Sequence, residues 1–200
     1  MTGVESILTY WFADAAESPG KAGKRMGVWF SSTPELDAEI CERFGELFES
    51  ASRSELSDWQ TTAEGSMALI ILLDQFSRNV HRGTAAAFAA DPLALAAANS
   101  AIESGQNDEM PPIWLSFLFL PFEHSESLAD QDRCVELMRR SAADAPEQWR
   151  ELLAGNVKYA EEHRGIIARF GRFPHRNQVL GRTDTPEEKE FLKTAARFGQ

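Results

Sequence analysis

Two hundred residues with a formal net charge of −11 and a pI near 4.9 suit a single domain, 1–200, and argue against general nucleic-acid binding, which needs a strong positive field. A hydrophobic fraction of 43% excludes disorder for the bulk of the chain, and the two cysteines, Cys41 and Cys134, have no CxxC spacing for a zinc site and are expected as reduced thiols. No basic-then-apolar leader opens the chain, and the longest apolar run, Ile113 to Phe122, falls far short of the ~20 residues that cross a bilayer, so a soluble cytoplasmic protein with no membrane partner is expected.

Along the chain, helix punctuation is clear. Ile7, Leu8, Trp11 and Phe12 recur at helical spacing and predict a helix over 4–16. Pro19 to Gly27 is rich in glycine and lysine and reads as a loop, with Trp29 and Phe30 after it as core anchors. Thr33 reads as an N-cap with Pro34 at the first helical position, and Leu36, Ile40, Phe44, Leu47 and Phe48 form one apolar stripe behind it. Thr61 and Glu64 have capping-box spacing before a stretch, Met67 to Leu73, that is wholly apolar and belongs in the core.

Asp91 reads as the cap of the next helix, with Pro92 inside and Gly105 beyond its end. Met110-Pro111-Pro112 is a stop before the apolar stretch 113–122. Helices follow over 127–142 and from Pro146 to about Phe170, and Thr185, Pro186 and Glu188 start the last one. No stretch alternates as a strand does. The expectation is an all-α fold of about seven to nine helices. No repeat of fixed period is visible, and stacked tetratricopeptide-like hairpins are compatible with this pattern.

Three motifs place polar residues beside segments that should be buried. In LLDQFSRNVHRG, residues 72–83, Asp74 and Arg78 have the favourable i,i+4 order, and with Gln75 and Asn79 they fall at a core boundary where charges must be paired. In FLPFEHSES, residues 119–127, a continuing helix would put Glu123 and Glu126 on one face with His124 about 100° away. Two carboxylates beside an imidazole could do acid–base work or could pair with arginines. The third motif is His163 to Arg182, which holds five arginines, two histidines and no acid. Its arginine forks favour carboxylate or phosphate, and Pro174 stiffens the turn that carries His175, Arg176 and Asn177. Phosphate loops, nucleophile elbows and zinc-protease helices are absent from the sequence.

YWF at 10–12, WF at 29–30, IILLDQFSRN, FLFLPFEHSE, DQDR, HRGIIARFGRFPHRNQVLGR and TPEE together resemble one bacterial family, domain-of-unknown-function family nine hundred and twenty-four. The likeness spans nearly the whole chain and implies an all-helical fold similar to tetratricopeptide stacks, with no reaction attached. Ser77 stands where that family commonly has proline, and Gly165 where an acid is usual.

The expected site is a pocket between helices that gathers the three motifs. Glu123, His124 and His175 are its candidate acid–base groups. Asp74, Arg78, Asn79, Glu126, His163, Arg172, Arg176 and Asn177 would position a small anionic molecule. No metal ligand set and no cofactor are expected. Two other readings stay open: a tetratricopeptide-like groove for an acidic peptide, and an internal network that only holds the fold.

Overall fold

A computed structural model describes residues 3–31 and 33–194, so the ends of the expected 1–200 domain lie outside the described residues. Among those residues there is no strand, and the all-α expectation holds. The helices are α1 (Gly3–Phe12), α2 (Pro19–Phe30), α3 (Pro34–Ser52), α4 (Ala63–Ile70), α5 (Ser77–Val80), α6 (Asp91–Glu103), α7 (Pro112–Glu123), α8 (Leu128–Asp144), α9 (Glu147–Phe170) and α10 (Pro186–Phe191). A π-helical turn, Ile71–Phe76, joins α4 to α5 in one rod, which makes nine helices among the described residues.

Most starts follow the side chains that cap them. Thr33 accepts the Leu36 N–H at 3.2 Å, Ser127 accepts that of Asp130 at 3.4 Å, and Thr185 with Glu188 closes a full capping box. The long helix α9 ends at Gly171, whose φ of +68° is the left-handed conformation glycine adopts most cheaply.

Three expectations need correction. The first helix stops at Phe12 instead of reaching 16, because Ala13 turns left-handed, with φ +46°, before a 3-10 turn at Ala15–Glu17. Residues 19–27, read as a loop, form most of α2. Three glycines in that segment each cost about 1 kcal/mol relative to alanine, so local propensity alone does not explain the helix. Its tertiary contacts do. Ser18 caps it, Ala22 and Trp29 are buried, and Arg25 and the Trp29 indole N–H donate to the carbonyls of Tyr10 and Trp11, two of the orphan acceptors at the end of α1. Phe30, the next residue, is 55% exposed and does not anchor the core.

The third correction shifts a cap by one residue. Thr62, not Thr61, accepts the Gly65 N–H, at 3.1 Å, while the Thr61 hydroxyl bonds back to the Asp58 carbonyl. The start of α4 is pressed so closely on the turn Ser57–Thr61 that a Cβ on Gly65 would lie 2.0 Å from the Trp59 carbonyl oxygen. Gly65→Ala is therefore expected to destabilise the protein by about 1–3 kcal/mol, measured by urea unfolding, despite alanine's better helix propensity.

The rod α4–α5 is the centre of the molecule. Every residue from Met67 to Leu73 is buried, as the wholly apolar run predicts. Around it pack α1, α3, α6 and α7, with α8 and α9 continuing from α7 as sequential neighbours. Ala85–Glu103 is long and apolar enough, by length and composition, to cross a membrane. Here it is a 3-10 turn followed by α6, with Ala94, Ala97, Ala98 and Ala101 buried against the core.

Candidate functional site

A cavity of about 330 Å³ opens between α2, α5, α7, α9 and the turn around Pro174. Its polar wall holds Gln75, Arg78, Asn79, Arg82, Glu123, His124, His163, His175 and Arg176, so the Glu123-His124 and His175-Arg176 pairs do meet in one place. Its apolar wall comes from α2, α7 and α8, together with Phe88.

The π-helical turn sets the polar wall. All six of its residues are buried, so Asp74 has almost no contact with water, and its charge must be met by protein. His124 Nδ1 lies 2.7 Å from one Asp74 oxygen, the Gln75 amide donates to the other, and Arg78 Nη1 stands 3.5 Å away. Burial pushes the Asp74 carboxyl up, but His124 and Arg78 outweigh it and hold the group well below the usual carboxylate range. With Asp74 ionised, His124 Nδ1–H donates to it, which leaves Nε2 as the basic nitrogen. Burial and the Arg78 charge lower the His124 pKa against the pull of Asp74, so the ring is neutral at neutral pH.

Asp91 ties the arginines together. It does not cap α6. Ala90 takes that position, and the Asp91 carboxylate instead bridges Arg78 at 3.0 Å and Arg176 at 3.3 Å. Arg176 is 6% exposed, and its guanidinium lies 4.5 Å over the ring centroids of both Phe88 and Phe173. Among the described residues its Nε is buried without a hydrogen-bond partner, and Nη1 is the donor that reaches Asp91. Burial and the nearby Arg78 charge bring its pKa down to about 10. A guanidinium with five donors is thus only partly satisfied by the protein around it.

Glu123 is the other unusual group. Burial first, then the Asp74 charge, raises its pKa to about 8, so it is protonated at neutral pH beside a neutral His124. His163 Nδ1 bonds the Tyr159 carbonyl at 2.9 Å and lies 3.4 Å from Glu123, and burial lowers its pKa to about 4. Burial and the Arg176 charge take His175 to about 3. The Cys134 thiol, also buried, is pushed up and is no nucleophile at neutral pH.

These shifts predict a specific pH dependence. The folded state keeps a proton on Glu123 that the unfolded chain sheds above its ordinary value of 4.5, so this group lowers stability as pH rises from there to about 8. His163 and His175 act oppositely. Unfolded they take protons below their ordinary 6.5, which the folded protein refuses, so stability falls as pH drops below that value. Stability should therefore peak near pH 6.5 and fall by on the order of 2 kcal/mol towards pH 8, and Glu123→Gln should remove that alkaline decline in denaturant titrations.

Of the expected site residues, Asp74 lies directly behind the cavity wall, and Arg78, Asn79, Glu123, His124, His163, His175 and Arg176 line it. Asn79 and Arg82 both bond Asp37 of α3 at the rim. Three others sit elsewhere. Glu126 does not share a helix face with Glu123, because α7 ends there. The Gln131 amide takes the carbonyls of Glu123 and Ser125 at 2.6 and 2.7 Å, and Glu126 turns away to accept the Phe173 N–H and a two-bond pair from Arg182. Arg172 forks onto Glu188 at 2.7 and 2.8 Å, holding that carboxyl near 2 and tying α10 to the turn after α9. Asn177 is buried on Asp184. Arg164 and Arg169 pair with Asp132 and Glu187, so Arg176 is the arginine of the basic segment that reaches the cavity.

The sequence reading missed Asp91, whose Asp-Pro context is that of a helix start, and Phe88. It also missed Met26 as a cavity wall, because residues 19–27 read as a loop, and Trp29 and Phe30, because they read as core anchors.

No curated protein matches the chain. Among solved structures, a protein of unknown function from Agrobacterium tumefaciens, ATU0120, is 41% identical, with a TM-score of 0.74 over 84% of this chain and 89% of its own. The family model described as "Bacterial protein of unknown function (DUF924)" matches residues 7–196. With that match over nearly its whole length, the chain belongs to the DUF924 family of bacterial proteins.

Proposed function

We propose that the cavity binds a small organic anion and that the Asp74–His124 pair acts on it, or on a water beside it, as a general base. The observation that carries this reading is Arg176: a buried guanidinium at the cavity wall, over two aromatic rings, with a buried Nε that no described residue satisfies. Such a group is costly unless something accepts its hydrogen bonds, and a carboxylate or phosphate accepts them best. His124 supplies the base, because Asp74 fixes its tautomer and burial keeps it neutral. Glu123, protonated at neutral pH on the same wall, supplies a proton donor. Neighbouring groups pushed in opposite directions are what an acid–base reaction needs.

An acidic peptide in a tetratricopeptide-like groove would need its cationic contacts on an open face, whereas Arg78 and Arg176 are 8% and 6% exposed. The experiment is a thermal-shift screen of small organic anions against neutral compounds of matching shape. Saturating anions should raise the melting temperature, with a salt-sensitive response, while the neutral partners do not. A flat response across the panel would leave the polar groups as a structural network.

A further inference from the structure

Polarity changes along the cavity in one direction. On α7 and its C-cap residue the lining runs Phe117, Leu120, Glu123, His124, and the interval from Phe117 to His124 spans about 10 Å at ~1.5 Å per residue. The apolar end is completed by Met26, Trp29 and Phe30 of α2 and Met138 of α8. The polar pair in that half is joined by one hydrogen bond, Asn156 Nδ2 donating to Ser116 Oγ at 2.7 Å. Of the lining residues, Met26, Phe30 and Tyr159 are 42%, 55% and 57% exposed, so the cavity meets solvent beside apolar side chains. A purely polar anion would leave this half of the site without a partner.

The head of the ligand is constrained too. Arg176 offers one flat edge, and Asp74 and Asp91 stand close by, so a monoanion that takes a fork of two hydrogen bonds suits it better than a dianion. Size follows from volume. At the ~30 Å³ that each small liquid-like group occupies, the cavity of about 330 Å³ holds roughly eleven non-hydrogen atoms.

We infer that the ligand is a medium-chain monocarboxylate, its carboxylate on Arg176 beside His124 and its apolar tail running beneath α2 towards Phe117 and Trp29. This rests on the anion site proposed above and adds the class of molecule that fills it. The carboxylate anchors the ligand and places the carbons next to it nearest the Asp74–His124 pair.

The test is calorimetric titration of the full chain with butyrate, hexanoate and octanoate at fixed pH and ionic strength, with 1-octanol and octyl phosphate as controls. Affinity should rise about fourfold per added methylene, octanol should bind at least tenfold more weakly than octanoate, and octyl phosphate should not surpass it. Leu120→Asn should flatten the chain-length dependence while butyrate binding persists. Phe30 is exposed, so Phe30→Ser keeps the fold and should lower octanoate affinity by a smaller factor. Equal affinities for butyrate and octanoate would overturn the tail assignment and leave the anion site standing. Octanol binding as tightly as octanoate would overturn the anion site itself. Tighter binding of octyl phosphate would replace the carboxylate head with a phosphate. No binding by any chain overturns the inference, and a shift by a polar anion in the screen would then show that the anion site survives without it.

Discussion

Replacing Asp74 with alanine should destabilise the protein by about 3–5 kcal/mol, the range for removing one partner of a buried ion pair. Asp74 is fully buried and answers His124, Gln75 and Arg78 at once. Without it, Arg78 keeps Asp91, which must also serve Arg176. His124 loses the acceptor that fixes its tautomer. Asp74→Asn should cost less, because the amide preserves shape and one acceptor oxygen. Adding Arg78→Met to Asp74→Ala should recover part of the loss, since it removes a buried guanidinium left with one of its two acids and leaves apolar packing. Urea unfolding with two spectroscopic probes reads all of these, and a loss below about 1 kcal/mol for Asp74→Ala would contradict the network described.

Arg176→Met should behave in the opposite way, barely changing stability while weakening anion binding strongly. The guanidinium is buried, only partly hydrogen-bonded, and brought down to a pKa of about 10 by burial and Arg78, all signs that the apo fold gains little from its charge. Asp91 retains Arg78 when Arg176 is lost. Methionine fills similar space against Phe88 and Phe173. Binding is another matter. Hydrogen bonds to charged groups contribute about 1.5–3 kcal/mol each, so losing a two-bond fork should weaken an organic anion about 100-fold or more. Arg176→Lys should restore little of this, because an ammonium keeps the charge but not the planar fork. Strong destabilisation by Arg176→Met, with anion affinity intact, would assign the residue to the fold alone.

Much of this architecture is readable from the residues. Thr33-Pro34, Ser127 and Thr185-Pro186 with Glu188 mark helix starts because hydroxyl caps and first-turn prolines act locally, within a turn of the residues that carry them. The buried run Met67–Leu73 is legible for the same reason: a segment with no wet face has nowhere else to go. α2 is not legible, because what stabilises it is the end of α1, contributed by Tyr10 and Trp11 from another part of the chain. The π-helical turn is likewise invisible to a count of i,i+4 spacings.

The site divides along the same line. That Asp74, Glu123, His124, His163, His175 and Arg176 belong together follows from polar residues embedded in apolar runs. Which arginine of the basic segment meets which acid does not follow, since any of the five could have paired with any nearby carboxylate. Arg172 and Arg182 go to Glu188 and Glu126 to pin the turn, and that pinning holds the Pro174 turn in place and brings Arg176 to the cavity. Asp91 was hidden by its position, since an aspartate before a proline at a helix start has an ordinary explanation that the fold happens not to use.

The central claim is that Arg176 recognises a ligand. Wild type and Arg176→Met, screened in parallel by thermal shift against the same organic anions, test it most directly. At a hundredfold excess over the dissociation constant, ligand stabilisation is about 2.7 kcal/mol, which raises the melting temperature of a chain this size by roughly 5–10 °C. The prediction is a shift of that size for at least one anion with wild type and no more than about 1–2 °C with Arg176→Met at equal concentration. Equal shifts in both proteins, or none in wild type across the panel, would contradict it.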